Sequence, residues 1–154
     1  MSRVGRLACL VTAMVLTACV GHTRYHRFLS LSPQGWGRQD TVVFHLPDSM
    51  PGERLQVRVE LRTTRSFPYT DLWLALEQRD TTQRVLHTDT LHISMADSQG
   101  NLSGHGQNFL EYASASLPFA TDSLCQCCEV RLRHLMTDET IPALTDIGLC
   151  VTCQ

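Results

Sequence analysis

The sequence predicts an all-β protein, an antiparallel β-sandwich of jelly-roll or immunoglobulin-like type, preceded by a cleaved N-terminal signal segment. Two observations predict the sandwich. Residues 54–64 alternate strictly: Leu55, Val57, Val59 and Leu61 fall between Arg54, Gln56, Arg58, Glu60 and Arg62. A period of two with one charged face is the mark of a half-buried antiparallel strand. The chain also breaks into many short strand-like runs bounded by turn residues, with no sustained helical period. A third observation, the apolar run between Leu7 and Leu16 behind Arg3 and Arg6, predicts the signal segment.

The elements follow in order. Asp40 to Leu46 is a short apolar-rich strand stopped by Pro47. Met50-Pro51-Gly52-Glu53 is turn chemistry and leads into the alternating strand. Phe67-Pro68-Tyr69 interrupts the chain. Leu72 to Gln78 is then nearly continuous in apolar residues and reads as a buried strand, with Trp73 in the core. Val85 to Met95, rich in Thr, Leu and Ile, is a further strand. Asp97 to Gly106 is a polar, glycine-rich loop, and residues 108–119 fit no single pattern. Glu129 to His134 alternates again, and Ile147 to Thr152 forms the last strand.

The N-terminal apolar run is too short to cross a bilayer as a helix, which takes about 20 residues. It ends in Leu16-Thr17-Ala18-Cys19, which resembles the bacterial lipobox. On that plan residues 1–18 are a lipoprotein signal peptide and Cys19 carries the lipid. Residues 19–38 are a lipidated tether and residues 39–154 the sandwich. Two or three acyl chains hold a protein stably, because each buried methylene contributes about 0.8 kcal/mol. The residue after Cys19 is Val20 rather than Asp, which favours the outer membrane. No acidic run follows, which favours its periplasmic face.

Net charge is −2, so no basic surface argues for nucleic acid. Every basic residue is Arg, and the absence of Lys removes lysine-based covalent chemistry. The sequence contains no nucleophile elbow, zinc-protease helix, phosphate loop or calcium loop. Five of the cysteines crowd the last third, at 125, 127, 128, 150 and 153. Their spacing admits structural disulfides, packed thiols or a thiolate metal site. If the two C-terminal strands pair, parity places Cys128 and Cys153 on apolar faces and makes them the candidate disulfide. The seven histidines are dispersed, and no pair has convincing ligand spacing.

Taken in order, several blocks resemble the gliding-motility lipoprotein H (GldH) family of bacterial envelope lipoproteins. They are Tyr25-His26, Gly35-Trp36, Asp40-Thr41, the run from Leu55 to Arg62, and Phe67-Pro68-Tyr69 leading to Leu72-Trp73-Leu74. The blocks from Val130 to Met136 and from Ile141 to Leu149 complete the likeness. It spans almost the whole chain beyond the signal. This chain has Ala143 where the resemblance leads one to expect Gly, and the cysteine cluster is not a feature of the pattern. The resemblance implies a non-catalytic accessory or scaffold subunit of gliding motility and the linked protein-secretion machinery, without cofactor or resident metal. Its partners would be the membrane, through the acyl chains, and motility or secretion proteins of the envelope. Arg131, Arg133 and His134 are the candidate partner contacts. The competing class is a lipid-anchored carbohydrate-binding module, with Trp36, Tyr69 and Trp73 as the rings available for stacking on sugars.

Overall fold

The computed structural model describes residues 22–48, 50, 54–120 and 127–153. Cys19, Cys125, the Pro51-Gly52 turn and the signal segment lie outside them. Eleven strands occur among the described residues: β1 (His22–Ser30), β2 (Trp36–Gly37), β3 (Val42–His45), β4 (Leu55–Thr63), β5 (Asp71–Arg79), β6 (Val85–Ser94), β7 (Leu110–Ala113), β8 (Leu117–Pro118), β9 (Glu129–His134), β10 (Thr140–Ile141) and β11 (Leu144–Cys153).

One sheet runs β1-β11-β4-β7, with β8 also paired to β4. The other runs β3-β9-β5-β6, and β2 and β10 form a separate two-stranded ribbon. Every pairing is antiparallel. Set aside the three two-residue strands and eight remain. The first, eighth, third and sixth of these make one sheet; the second, seventh, fourth and fifth make the other. That interleaving is the jelly roll, which decides between the two sandwich types the sequence allowed.

The core lies between the sheets. Val57, Val59 and Leu61 of β4 and Ile147, Leu149 and Val151 of β11 are fully buried on one side. Phe44, Leu72, Leu74, Leu76, Val130 and Leu132 are buried on the other. Each such side chain stabilises the fold by about 1.5–3 kcal/mol relative to exposure. The alternation read in β4 is present residue for residue, and the ambiguous stretch 108–119 resolves into the short strands β7 and β8.

Two expectations change. The segment taken as a tether is in part strand, since β1 pairs with β11 from His22 to Ser30. Its side chains are mostly exposed, so no hydrophobic period announces it. Backbone bonding to one neighbour holds an edge strand of this kind, and that bonding leaves no trace in composition. The second change concerns Cys128 and Cys153. Their strands do not pair: β9 lies between β3 and β5, and β11 lies between β1 and β4, in the opposite sheet. Cys128 is a thiol, and it is Cys127 that is buried. Strand alternation begins only at Glu129, so parity cannot be extended back to residues 127 and 128.

Ala143 has φ +63°, in the left-handed region that favours glycine. The glycine expected there thus has a backbone reason, since an alanine Cβ is crowded in that conformation by about 1–2 kcal/mol. Glycine loses more entropy on folding, which returns part of this. Ala143→Gly is expected to raise stability by up to about 1 kcal/mol, read as a later urea midpoint. A lower midpoint would show that the strain is relieved elsewhere.

Candidate functional site

The outer face of the four-stranded sheet carries the most varied chemistry among the described residues. Strand register builds it row by row. Ala75 stands between Arg133 of β9 and Thr90 of β6. Two residues along, Glu77 stands between Arg131 and Thr88. In the other direction Trp73 pairs with His92, and its rings stack at 4.4 Å between centroids. Leu135 continues the ladder beyond β9, its N–H donating to the Trp73 carbonyl at 2.8 Å. Trp73 is 43% exposed and Leu135 49%. The result is a row of Leu135, Trp73 and His92, the last bonded to the Asp71 carboxylate at 2.6 Å, beside a more polar one.

The small side chain of Ala75 leaves a groove of about 550 Å³, lined by Thr41, Glu77, Thr90, Arg131 and Arg133 among others. Its charges are unequally engaged. Arg79 donates to Glu77, and Arg131 donates to Glu129 at 2.5 Å and to Gln83 at 2.9 Å. Burial alone raises the Glu129 carboxyl, but Arg131, Gln83 and His45 together outweigh it and hold it below its ordinary value. Arg133 is exposed and has no ion-pair partner among the described residues. Its guanidinium is therefore available to an external acceptor, beside an aromatic surface.

Of the three expected contact residues, Arg131 and Arg133 share this face and His134 does not. Successive residues of a strand point to opposite sides, so a face that displays 131 and 133 must bury 134. His134 is 2% exposed and lies edge-on to Trp36, centroids 5.3 Å apart. Neither of its ring nitrogens makes a side-chain hydrogen bond of normal geometry.

The two tryptophans also exchange places. Trp36, offered as a sugar-stacking ring, is 1% exposed, and Trp73, assigned to the core, is at the surface. Tyr69 is half-buried and donates to Asp138 at 2.5 Å. The signal for Trp73 was present in its phase, since Leu72, Leu74 and Leu76 take the inner positions. The continuous apolar run concealed that alternation.

Burial pushes the His134 imidazole below its ordinary value; the Arg38 charge acts the same way, and Trp36, Asp40 and Glu139 offset only part. The folded state therefore holds His134 neutral, while the unfolded chain takes a proton near pH 6.5. Stability from this group is complete above about pH 6.5 and falls as pH drops toward the lower folded value. The loss is expected to reach up to about 1.4 kcal/mol per pH unit. Urea midpoints between about pH 7 and 5, compared with His134→Gln, isolate this contribution from the other histidines. Parallel pH profiles for the two proteins would show that His134 does not titrate on unfolding.

A family model described as GldH lipoprotein matches residues 23–151. The gliding motility lipoprotein GldH of Flavobacterium johnsoniae is 26% identical over 113 residues, covering 73% of this chain and 69% of that protein. Among solved structures, the tomato aspermy virus structure covers 99% of this chain and 93% of its own, with a TM-score of 0.41 and 13% identity. Dimeric latent PorU from Porphyromonas gingivalis covers 90% of this chain and 14% of its own, with a TM-score of 0.33 and 15% identity. At these TM-scores neither likeness bears on ligand or partner.

Proposed function

The chain belongs to the GldH lipoprotein family, and from that premise we propose that it is a non-catalytic outer-membrane lipoprotein that docks other envelope proteins of gliding motility and the linked secretion machinery. Cys19 carries the lipid, and the domain faces the periplasm. An anchored domain meets membrane-bound partners at a raised effective concentration, so modest contacts suffice. The observation that carries the docking role is the exposed Leu135–Trp73–His92 row beside Arg133, which has no ion-pair partner among the described residues. Aromatic and arginine side chains concentrate binding energy at protein interfaces.

The test uses native cells expressing the full chain. Trp73→Ala and Arg133→Glu alter exposed side chains, and both variants are expected to fold, to reach the outer membrane and to lose co-purifying envelope proteins. Cys19→Ser is expected to leave the membrane fraction altogether. Unchanged co-purification in both surface variants would remove this face as the docking site. The carbohydrate-binding alternative keeps one specific observation, since Trp73 is exposed on the same outer face as Thr90 and Arg133. Direct binding of envelope polysaccharide, lost on Trp73→Ala, would favour it over protein docking.

A further inference from the structure

The outer face of the other sheet holds a cluster that docking leaves unused. Strands β1, β11 and β4 lie side by side, and register sets Cys150 between His26 and Arg58. Glu60, two residues along β4 from Arg58, points to the same side. The His26 imidazole, the Glu60 carboxylate and the Cys150 thiol each bring one donor atom to within 4.8 Å of the other two. His26 Nε2 is 2.7 Å from Glu60 Oε2. Glu60 Oε1 accepts from an Arg58 Nη at 2.6 Å, which turns its second oxygen toward His26. Cys150 is 5% exposed, and His26, on the edge strand, is the side of the cluster open to solvent.

We propose that His26, Glu60 and Cys150 bind a divalent transition-metal ion of the zinc type, with the remaining coordination position open to water or to a partner's side chain. Imidazole nitrogen, carboxylate oxygen and thiolate sulfur are the three ligand types that zinc takes, and three protein ligands leave a fourth tetrahedral position. The thiolate discriminates against magnesium and calcium, which prefer oxygen alone. The three donors sit on neighbouring, hydrogen-bonded strands, so the frame is rigid before the ion arrives. Arg58 plays the part of the outer group that orients a ligating carboxylate. Burial and the Glu60 carboxylate hold the Cys150 thiol above its ordinary value, and the Arg58 charge offsets only part of this, so it is the ion that displaces the thiol proton.

On binding, the metal–sulfur bond replaces the S–H bond and the thiol proton passes to solvent. His26 Nε2–H donates to Glu60 before the ion arrives, so that proton leaves to solvent, the ring's remaining proton sits on Nδ1, and the freed Nε2 lone pair goes to the metal. No electron is transferred. The His26–Glu60 hydrogen bond opens, since ligands about 2.0–2.1 Å from a tetrahedral ion stand about 3.3 Å apart. Half-exposed His26 accommodates that by moving outward about half an ångström, the difference between these spacings.

The experiment uses the mature full-length protein with zinc in competition against a chelating indicator, and with cobalt as a spectroscopic substitute. The expected result is one ion per chain and a thiolate-to-cobalt charge-transfer band. Cys150→Ser should abolish the band. His26→Ala and Glu60→Gln should each weaken zinc binding at least about ten-fold, the lower end of what an outer-shell change costs. Cys125→Ser/Cys128→Ser, which leaves core Cys127 in place, should bind like the parent. Zinc should raise the melting temperature of the parent and not of Cys150→Ser, which separates a binding loss from a folding defect. Absence of stoichiometric binding would overturn the proposal. So would a cobalt band that survives Cys150→Ser or disappears in Cys125→Ser/Cys128→Ser.

Discussion

Trp36→Ala is expected to cost about 3–5 kcal/mol, the range for emptying an aromatic site in a packed core. The ring is fully enclosed, and its Nε1–H donates to the Asp40 carbonyl at 3.1 Å. It packs edge-on against His134, and its backbone pairs with buried Ile141 in the β2–β10 ribbon. Removing the indole opens a cavity and leaves the Asp40 carbonyl without its donor. The urea midpoint should fall by about 1 M or more, given slopes of about 1–3 kcal/mol per M. The chain has two tryptophans, so native fluorescence of this variant comes from exposed Trp73 alone. Emission should shift toward that of a solvated indole. A cost below about 1 kcal/mol would contradict core placement. Trp36→Ala is therefore unsuited as a binding probe, because lost binding would report lost structure. Trp73→Ala serves that purpose.

Gln78→Leu should be nearly as damaging, although it makes the core more apolar. Gln78 is fully buried in line with Leu72, Leu74 and Leu76. Its Nε2 donates to the Pro118 carbonyl at 3.0 Å, and its Oε1 accepts from the Ala120 N–H at 2.8 Å. Pro118 belongs to β8, which pairs with β4 in the opposite sheet. One side chain therefore ties the two sheets together. Leucine fills similar space but leaves a part-buried carbonyl and a part-buried N–H without their partner, each costing up to about 1–3 kcal/mol. The expected total is about 2–5 kcal/mol. Gln78→Glu sets a buried carboxylate against the Pro118 carbonyl and should cost at least as much at neutral pH. Hydrogen exchange at the Ala120 amide should accelerate more than the global stability change accounts for. An unaltered Ala120 amide would mean that another acceptor replaces the Gln78 oxygen.

Much of the fold was legible because side-chain alternation is local. β4 needed nothing beyond its own residues, and β9 could be placed to within its ends. β1 was not legible, since its stability comes from backbone bonds to a strand at the far end of the chain. Ser30 and Asp146, 116 residues apart, still meet across it at 2.8 Å. The candidate docking face was half legible. Arg131 and Arg133 stand on it as expected, but Trp73 and Leu135 were hidden in apolar runs, and His134 was counted on the wrong side.

The sequence by itself determined the all-β class, the alternation of β4 and β9 and the family likeness. All three depend on neighbours within a few residues. Only the tertiary structure decided which strands pair, and with that which tryptophan is buried. It also decided that His26, Glu60 and Cys150 stand together rather than Cys128 and Cys153. The reason is physical: strand pairing is chosen by the summed burial and hydrogen bonding of distant segments, and no single segment carries that sum.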